Sequence, residues 1–282
     1  MKRLLAFVCV AIMVTSLGAC TVESKNPNPT PSLVPPVTAT SGQTPELFPV
    51  PPVIIPDIVP RGNGYALVAR TFADSVDVYD APDGVVVKTL IRSEVVYNFT
   101  DMVDDAMAFR ILDYSQADKT HWVLAMTPVH GLTGWIHIDD RFEPLAWREL
   151  RIVVDKSDMN LCVFAYAQVG PIGCVPVSVG APATPTPDGE FYVREKLRLP
   201  YVDEMYGSAQ LLTNASSDWV EAKFNDGIAI HGNLDPKHCI SEGIACSNGC
   251  IRLLDAAVLW LINSAEEGGV GVKSGTPVII QE

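Results

Sequence analysis

The chain has 282 residues, with 33 acidic side chains against 20 basic ones and a formal net charge of −13. So acidic a surface repels nucleic acid and excludes it as a partner, while it suits a cationic or zwitterionic target. At the N-terminus Lys2 and Arg3 precede an apolar run from Leu4 to Leu17. A basic start, an apolar stretch of this length and small residues after it read as an export signal, too short for a comfortable membrane span. No other apolar stretch has the length and flanks of a span.

The signal ends in Leu17-Gly-Ala-Cys20, which resembles the lipobox of bacterial lipoproteins. That resemblance implies cleavage after residue 19 and lipidation of Cys20, and a location at the outer face of the cytoplasmic membrane or in the periplasm and cell wall. The membrane is then a partner through the lipid anchor only. Residues 20–60 follow as a linker: 11 of the chain's 22 prolines lie between Thr21 and Pro60. Such a segment buries no core and extends as polyproline II, reaching on the order of 100 Å at about 3.1 Å per residue.

The remaining chain is long enough for two modest domains. Residues 61–145 alternate short β-rich runs with turns: Tyr65-Ala-Leu-Val-Ala, Val76-Asp-Val-Tyr, the Ala81-Pro-Asp-Gly84 turn, Val85 to Leu90, Trp122-Val-Leu and Gly134 to Ile138. This is the pattern of a small antiparallel barrel. Val78 to Gly84 and Gly134-Trp135-Ile136 resemble bacterial SH3-like modules. Tyr65, Phe72, Tyr97, Trp122 and Trp135 are expected in its core, and His121, His130 and His137 as ordinary surface or core residues.

Residues 146–282 begin a second β-rich series. Leu150 to Asp155, Leu161 to Tyr166, Ile172 to Gly180, Phe191-Tyr-Val and Ile228 to Ile230 read as strands. Leu253 to Ser264 has apolar residues at helical spacing, and Gly275 to Ile280 closes the chain as a strand. The expected fold is mainly β throughout.

Two stretches of this second part carry chemistry. Ile228-Ala-Ile-His-Gly-Asn233 puts an imidazole where a strand gives way to a loop. Ser247-Asn-Gly-Cys-Ile-Arg252 puts a thiol directly after a turn-forming Asn-Gly pair. A cysteine at a tight turn exposes its sulfur and leaves backbone N–H groups to face an oxyanion, and Arg252 can hold a carboxylate as a bidentate partner. The combination reads as a cysteine acyltransferase site. Taken with Val-Ser-Val-Gly180 and Thr186-Pro-Asp-Gly189, it resembles the L,D-transpeptidase catalytic domain of the YkuD family over about Arg151 to Gln281.

The resemblance implies a β-sandwich-like domain with its cysteine in a groove under a flap. It implies Cys250 as nucleophile, His231 as its proton-transfer partner and the Gly232 carbonyl as the group that orients the ring. Gly249 and Cys250 would supply oxyanion N–H donors, with Ser247, Asn248 and Arg252 contacting substrate. Asn248 departs from the histidine usual there. The expected reaction cleaves the terminal D-Ala of a peptidoglycan stem tetrapeptide through a Cys thioester and passes the acyl group to an amine, cross-linking the wall. Water as acceptor would make a carboxypeptidase. No cofactor or metal is required, and a monomer suffices.

Cysteine parity supports a reactive thiol independently. Once Cys9 leaves with the signal and Cys20 is lipidated, five cysteines remain, and in an oxidising compartment one stays unpaired. Cys239 and Cys246 bracket a short loop, and Cys162 and Cys174 flank a hairpin, which leaves Cys250; five cysteines also permit other pairings. Two rival readings stand beside the enzyme. His231, His238, Cys239, Cys246 and Cys250 could ligate zinc, although they lack the short Cys-x2-Cys spacing of structural sites. A non-catalytic wall-binding lipoprotein is the other, favoured by Asn248 alone.

Overall fold

The computed structural model describes residues 65–96, 106–114, 120–166, 168–217, 227–235 and 237–282. The export signal, the Cys20 lipidation site, the linker 20–60 and Tyr97 lie outside the described residues. The fold is mainly β, in two sheets, as composition and alternation predict. Among the described residues no helix is long and apolar enough to cross a membrane.

The first sheet contains β1 (Ala66–Thr71), β2 (Ser75–Tyr79), β3 (Val86–Ile91), β4 (Met107–Asp113), β5 (Trp122–Met126), β6 (Thr133–His137) and β7 (Ala146–Arg148), with a single-turn helix α1 (Arg92–Val95) after β3. Their order is β3-β2-β6-β5-β4-β1-β7. Strand β2 shows why the segment folds this way: Val76 and Val78 are buried while Asp77 between them is exposed, the period-two alternation of a half-buried strand. The turn into β3 is closed by Gly84 N–H donating to Ala81 O at 3.0 Å and by Val85 N–H donating to Asp80 Oδ1 at 2.8 Å. Leu67, Val76, Val78, Leu90, Phe109, Val123 and Ile136 form the core. Trp122 is buried as expected and Tyr65 and Trp135 are partly so, but Phe72 is 50% exposed. Strand β7 pairs with β1, so the first sheet runs three residues past position 145.

The second sheet has the order β10-β9-β8-β15-β11-β12-β13-β14. Its strands are β8 (Leu150–Asp155), β9 (Asn160–Ala165), β10 (Pro171–Pro176), β11 (Gly189–Asp203), β12 (Gly207–Thr213), β13 (Ala229–Asn233), β14 (Ile251–Leu254) and β15 (Pro277–Gln281). The long β11 pairs with β15 at one end and β12 at the other, which lets the sheet coil. Its two ends then meet through bridges from Ser178 to Arg252 and from Gly180 to Ser247. Ile152, Val154, Leu161, Val163, Leu211, Ile228, Ile230, Ile251 and Leu253 fill the interior. Helix α2 (Asp255–Ile262) covers it with Val258, Leu261 and Ile262. The helical spacing of Leu253 and Leu254 is misleading, because both residues belong to β14.

The sheets are joined by buried contacts. Tyr192 is wholly buried, packs with Ala66, Val68 and Ala108, and donates its hydroxyl to Ala108 O at 2.8 Å. Arg148 Nε donates to Ser274 O at 2.7 Å, and Arg110 pairs with Glu190 at 2.9 Å.

Candidate active site

The site grows from the one parallel neighbour pair at the β14 edge. Strands β13 and β14 pair with Ile230 opposite Ile251 and His231 opposite Arg252. Side chains alternate faces along a strand, so Ile230, Ile251 and Leu253 enter the core while Ala229, His231 and Arg252 face the other way. Cys250 precedes β14 by one residue and joins Leu197, Leu212 and Ala229 in a small apolar cluster on that outer face. The thiol and the imidazole therefore share one side of the sheet. The contacts that place the sulfur come from three different strands.

Among the described residues Cys250 is the cysteine in no disulfide, and it is half-buried. Cys162 and Cys174 lie directly opposite in the β9–β10 register and are bridged, as are Cys239 and Cys246. Both pairings agree with the cysteine parity. The second bridge also takes two of the five candidate zinc ligands and leaves three, fewer than a four-coordinate structural site requires.

His231 is 1% exposed. Its Nδ1 lies 2.7 Å from Gly232 O. A carbonyl only accepts, so Nδ1 carries the proton and the neutral ring keeps its lone pair on Nε2. Burial pushes the His231 pKa from 6.5 down to about 4; the Gly232 bond and Asp203 pull the other way, and Arg252 adds to the fall. The imidazole is neutral at pH 7. The Tyr206 ring stands edge-on to it, with centroids 5.1 Å apart and planes at 62°.

The nucleophile loop is held by a dense set of short bonds. Ser247 Oγ donates to Cys250 O at 2.5 Å and accepts the Gly249 N–H at 3.1 Å. That N–H, expected to face an oxyanion, is thus directed to Ser247 instead. Gly249 sits at φ +116°, where a side chain would be strained. Its carbonyl accepts from the buried Thr186 hydroxyl at 2.7 Å, and Thr186 Oγ1 in turn accepts the Gly180 N–H at 2.8 Å. Ser178 exchanges two backbone bonds with Arg252, at 2.8 and 2.9 Å. The Val-Ser-Val-Gly180 and Thr186-Pro-Asp-Gly189 segments are therefore the cradle of the cysteine turn.

Asn248 is exposed on the loop surface. Arg252 is half-buried; its Nη1 lies 3.7 Å from Cys246 Sγ, and its Nε is buried with no hydrogen-bond partner. It lines a cavity of about 210 Å³ with Glu204, Met205, Asn233, Lys237 and the Cys239–Cys246 bridge. A guanidinium with an unmet donor beside such a space suits an anionic ligand group. A larger cavity of about 260 Å³, lined by Lys88, His130 and Arg194 among others, lies at the contact of the two sheets and includes neither Cys250 nor His231. His130 Nδ1 is 3.0 Å from Asn214 O, and His121 stacks on His137 at 5.8 Å.

Sequence reasoning missed Tyr206 and the residues that hold it. Nothing local marks a tyrosine on one hairpin as a neighbour of a histidine on another strand.

Residues 149–280 match the YkuD family model, described as the L,D-transpeptidase catalytic domain. That match spans the second sheet and α2. Among solved structures, Bd1075 of Bdellovibrio bacteriovorus is 25% identical with a TM-score of 0.36, over 47% of this chain and 48% of that one. L,D-transpeptidase 3 from Mycobacterium tuberculosis, in complex with a faropenem-derived adduct, is 23% identical with a TM-score of 0.33, over 53% and 73%. An L,D-transpeptidase from Xylanimonas cellulosilytica is 19% identical with a TM-score of 0.34, over 47% and 60%. The matched part of this chain spans about half the length of Bd1075. No curated protein matches the chain.

Proposed function

We propose that this chain is an exported, lipid-anchored L,D-transpeptidase in which Cys250 is the nucleophile and His231 the general base. The observation that carries the reading is the placement of Cys250, in no disulfide, on the same face of the sheet as a buried neutral imidazole whose proton is committed to Gly232 O. A thiol of ordinary pKa near 8.5 is about 3% thiolate at pH 7, so it needs a base to take its proton. The lone pair on His231 Nε2 serves that need.

The reaction then runs in two halves. Cys250 attacks the carbonyl between the L-centre of the stem diamino acid and the terminal D-Ala, and His231 takes the thiol proton. That proton passes to the departing D-Ala amine as the tetrahedral intermediate collapses to a thioester. An amine of a second stem peptide attacks the thioester and loses its proton to His231; the C–S bond breaks, the Cys250 sulfur takes that proton back, and a new amide, a wall cross-link, is left. Arg252 and its cavity suit a substrate carboxylate. Because His231 is neutral at rest, the sulfur is activated during attack rather than stored as an ion pair.

Exposure to a tetrapeptide stem or a carbapenem, followed by intact-mass measurement, tests this. A covalent adduct on the wild type that vanishes in Cys250→Ala is expected. A wild-type protein that stays unmodified under both reagents overturns the reading.

A further inference from the structure

One corner of the site has an arrangement that the reaction above leaves unused. The β11–β12 hairpin turns at Asp203, whose Oδ1 accepts the N–H groups of Met205 at 2.8 Å and Tyr206 at 2.9 Å. That turn presents the Tyr206 ring to His231. The next residue, Gly207, lies at φ +64° and packs backbone to backbone on Gly232: a Cβ on Gly207 would fall 2.7 Å from Gly232 Cα. Gly232 is the residue whose carbonyl orients the imidazole.

The carboxylate of Asp255, the first residue of α2, fills the wedge between these two glycines. Its Oδ1 accepts the Ser208 N–H at 2.6 Å and its Oδ2 accepts the Ser208 hydroxyl at 2.7 Å. The same Oδ1 borders both backbones, since a Cβ would meet it at 2.3 Å from Gly207 and 2.6 Å from Gly232. A negative charge in the first turn of a helix is also favoured by the helix dipole. An acceptor-only group of this length meets both Ser208 donors and both glycines at once.

We propose that Asp255 is a positioning residue: its carboxylate clamps the Tyr206-bearing hairpin to the Gly232 peptide, and so holds the His231 ring in orientation and out of water. The role rests on the cysteine–histidine reading for its catalytic meaning, but the clamp itself is a property of the fold. Without it the hairpin tip keeps the Asp203 turn and the Asn233 Nδ2 bond to Met205 O at 3.0 Å but loses its tie to α2, and water reaches the ring. The charges that face His231 are Arg252 on the paired strand and Asp203 at the end of β11, with burial the larger influence. Hydration therefore moves the imidazole back toward its ordinary titration.

The test uses the full chain with both disulfides intact, as wild type, Asp255→Ala, Asp255→Asn and Ser208→Ala. The His231 titration is followed by NMR, and carbapenem acylation of Cys250 is timed across the same pH range. In Asp255→Ala the His231 midpoint rises by about one unit or more, and acylation at pH 7 slows by roughly 10- to 100-fold, the scale of a displaced reacting group. Asp255→Asn restores most of both, since its oxygen still accepts the Ser208 N–H and its amide can donate to the Ser208 hydroxyl. Ser208→Ala shifts both in the same direction by less. If Asp255→Ala does not fold, Ser208→Ala decides, because it removes one bond of the clamp and nothing else. An unmoved His231 midpoint in the folded variants overturns the proposal. A moved midpoint in a protein whose wild type is never acylated sinks the transpeptidase reading and leaves the clamp standing.

Discussion

The two sides of the candidate site are built in different ways. On one side the cysteine turn is held by bonds among Thr186, Gly180, Ser247 and Gly249, backbone and hydroxyl groups that lie within short motifs. On the other side the histidine is covered by a hairpin tied down by the Asp255 carboxylate, the Asn233 amide and a glycine-to-glycine contact. The turn side spreads its constraint over many weak links. The hairpin side concentrates it in Asp255, Asn233 and one pair of glycines. Loss of one partner should therefore cost more on the hairpin side.

The largest effect is expected from Gly207→Ala. The added methyl would meet Asp255 Oδ1 at 2.3 Å and Gly232 Cα at 2.7 Å in a left-handed backbone. A loss of about 4 kcal/mol in urea unfolding is expected, with acylation falling as well. A fully stable variant would show that the hairpin gives way, and the contrast drawn above would fail.

Acid is the next probe. His231 has a folded pKa of about 4 against 6.5 when unfolded. The unfolded chain thus binds the proton first. Stability tied to the neutral ring is whole above about pH 6.5 and is lost as the pH falls toward 4, about 3 kcal/mol in all. Comparing unfolding of wild type and His231→Gln between those pH values isolates it. A wild-type slope no steeper than the variant's would refute the buried neutral ring.

Smaller effects belong to the turn side. Replacing Cys239 and Cys246 by serine opens a short loop and is expected to cost about 2.5 kcal/mol, read as a lowered melting temperature with the Cys250 adduct still formed. Thr186→Val removes the donor to Gly249 O and the acceptor of Gly180 N–H at nearly constant volume, for about 2 kcal/mol. Its acylation rate measures how far the turn sags when one link goes. A loss above that from Gly207→Ala would invert the comparison.

What was legible follows the same division. The two bridges and the unbridged state of Cys250 could be read because they depend on neighbours in the chain and on cysteine parity. The hairpin could not. β11 runs Arg194-Glu-Lys-Leu-Arg198, so charged residues interrupt its apolar pattern, and Glu195 is nonetheless 1% exposed. β12 opens Gly207-Ser-Ala-Gln, with none of the branched residues that mark a strand. β4 was missed for the opposite reason: Met107 to Ile111 are all buried, and a strand covered on both faces shows no alternation. Asp255 and Ser208 lie 47 positions apart, beyond any local signal.

The buried join of the two sheets at Tyr192, Ala108, Arg148 and Ser274 has one more consequence. Any ligand gripped by the first sheet would sit at a set offset and angle from the thiol, as on a rigid jig. Such a molecule would select substrates by the spacing between two points on the same polymer.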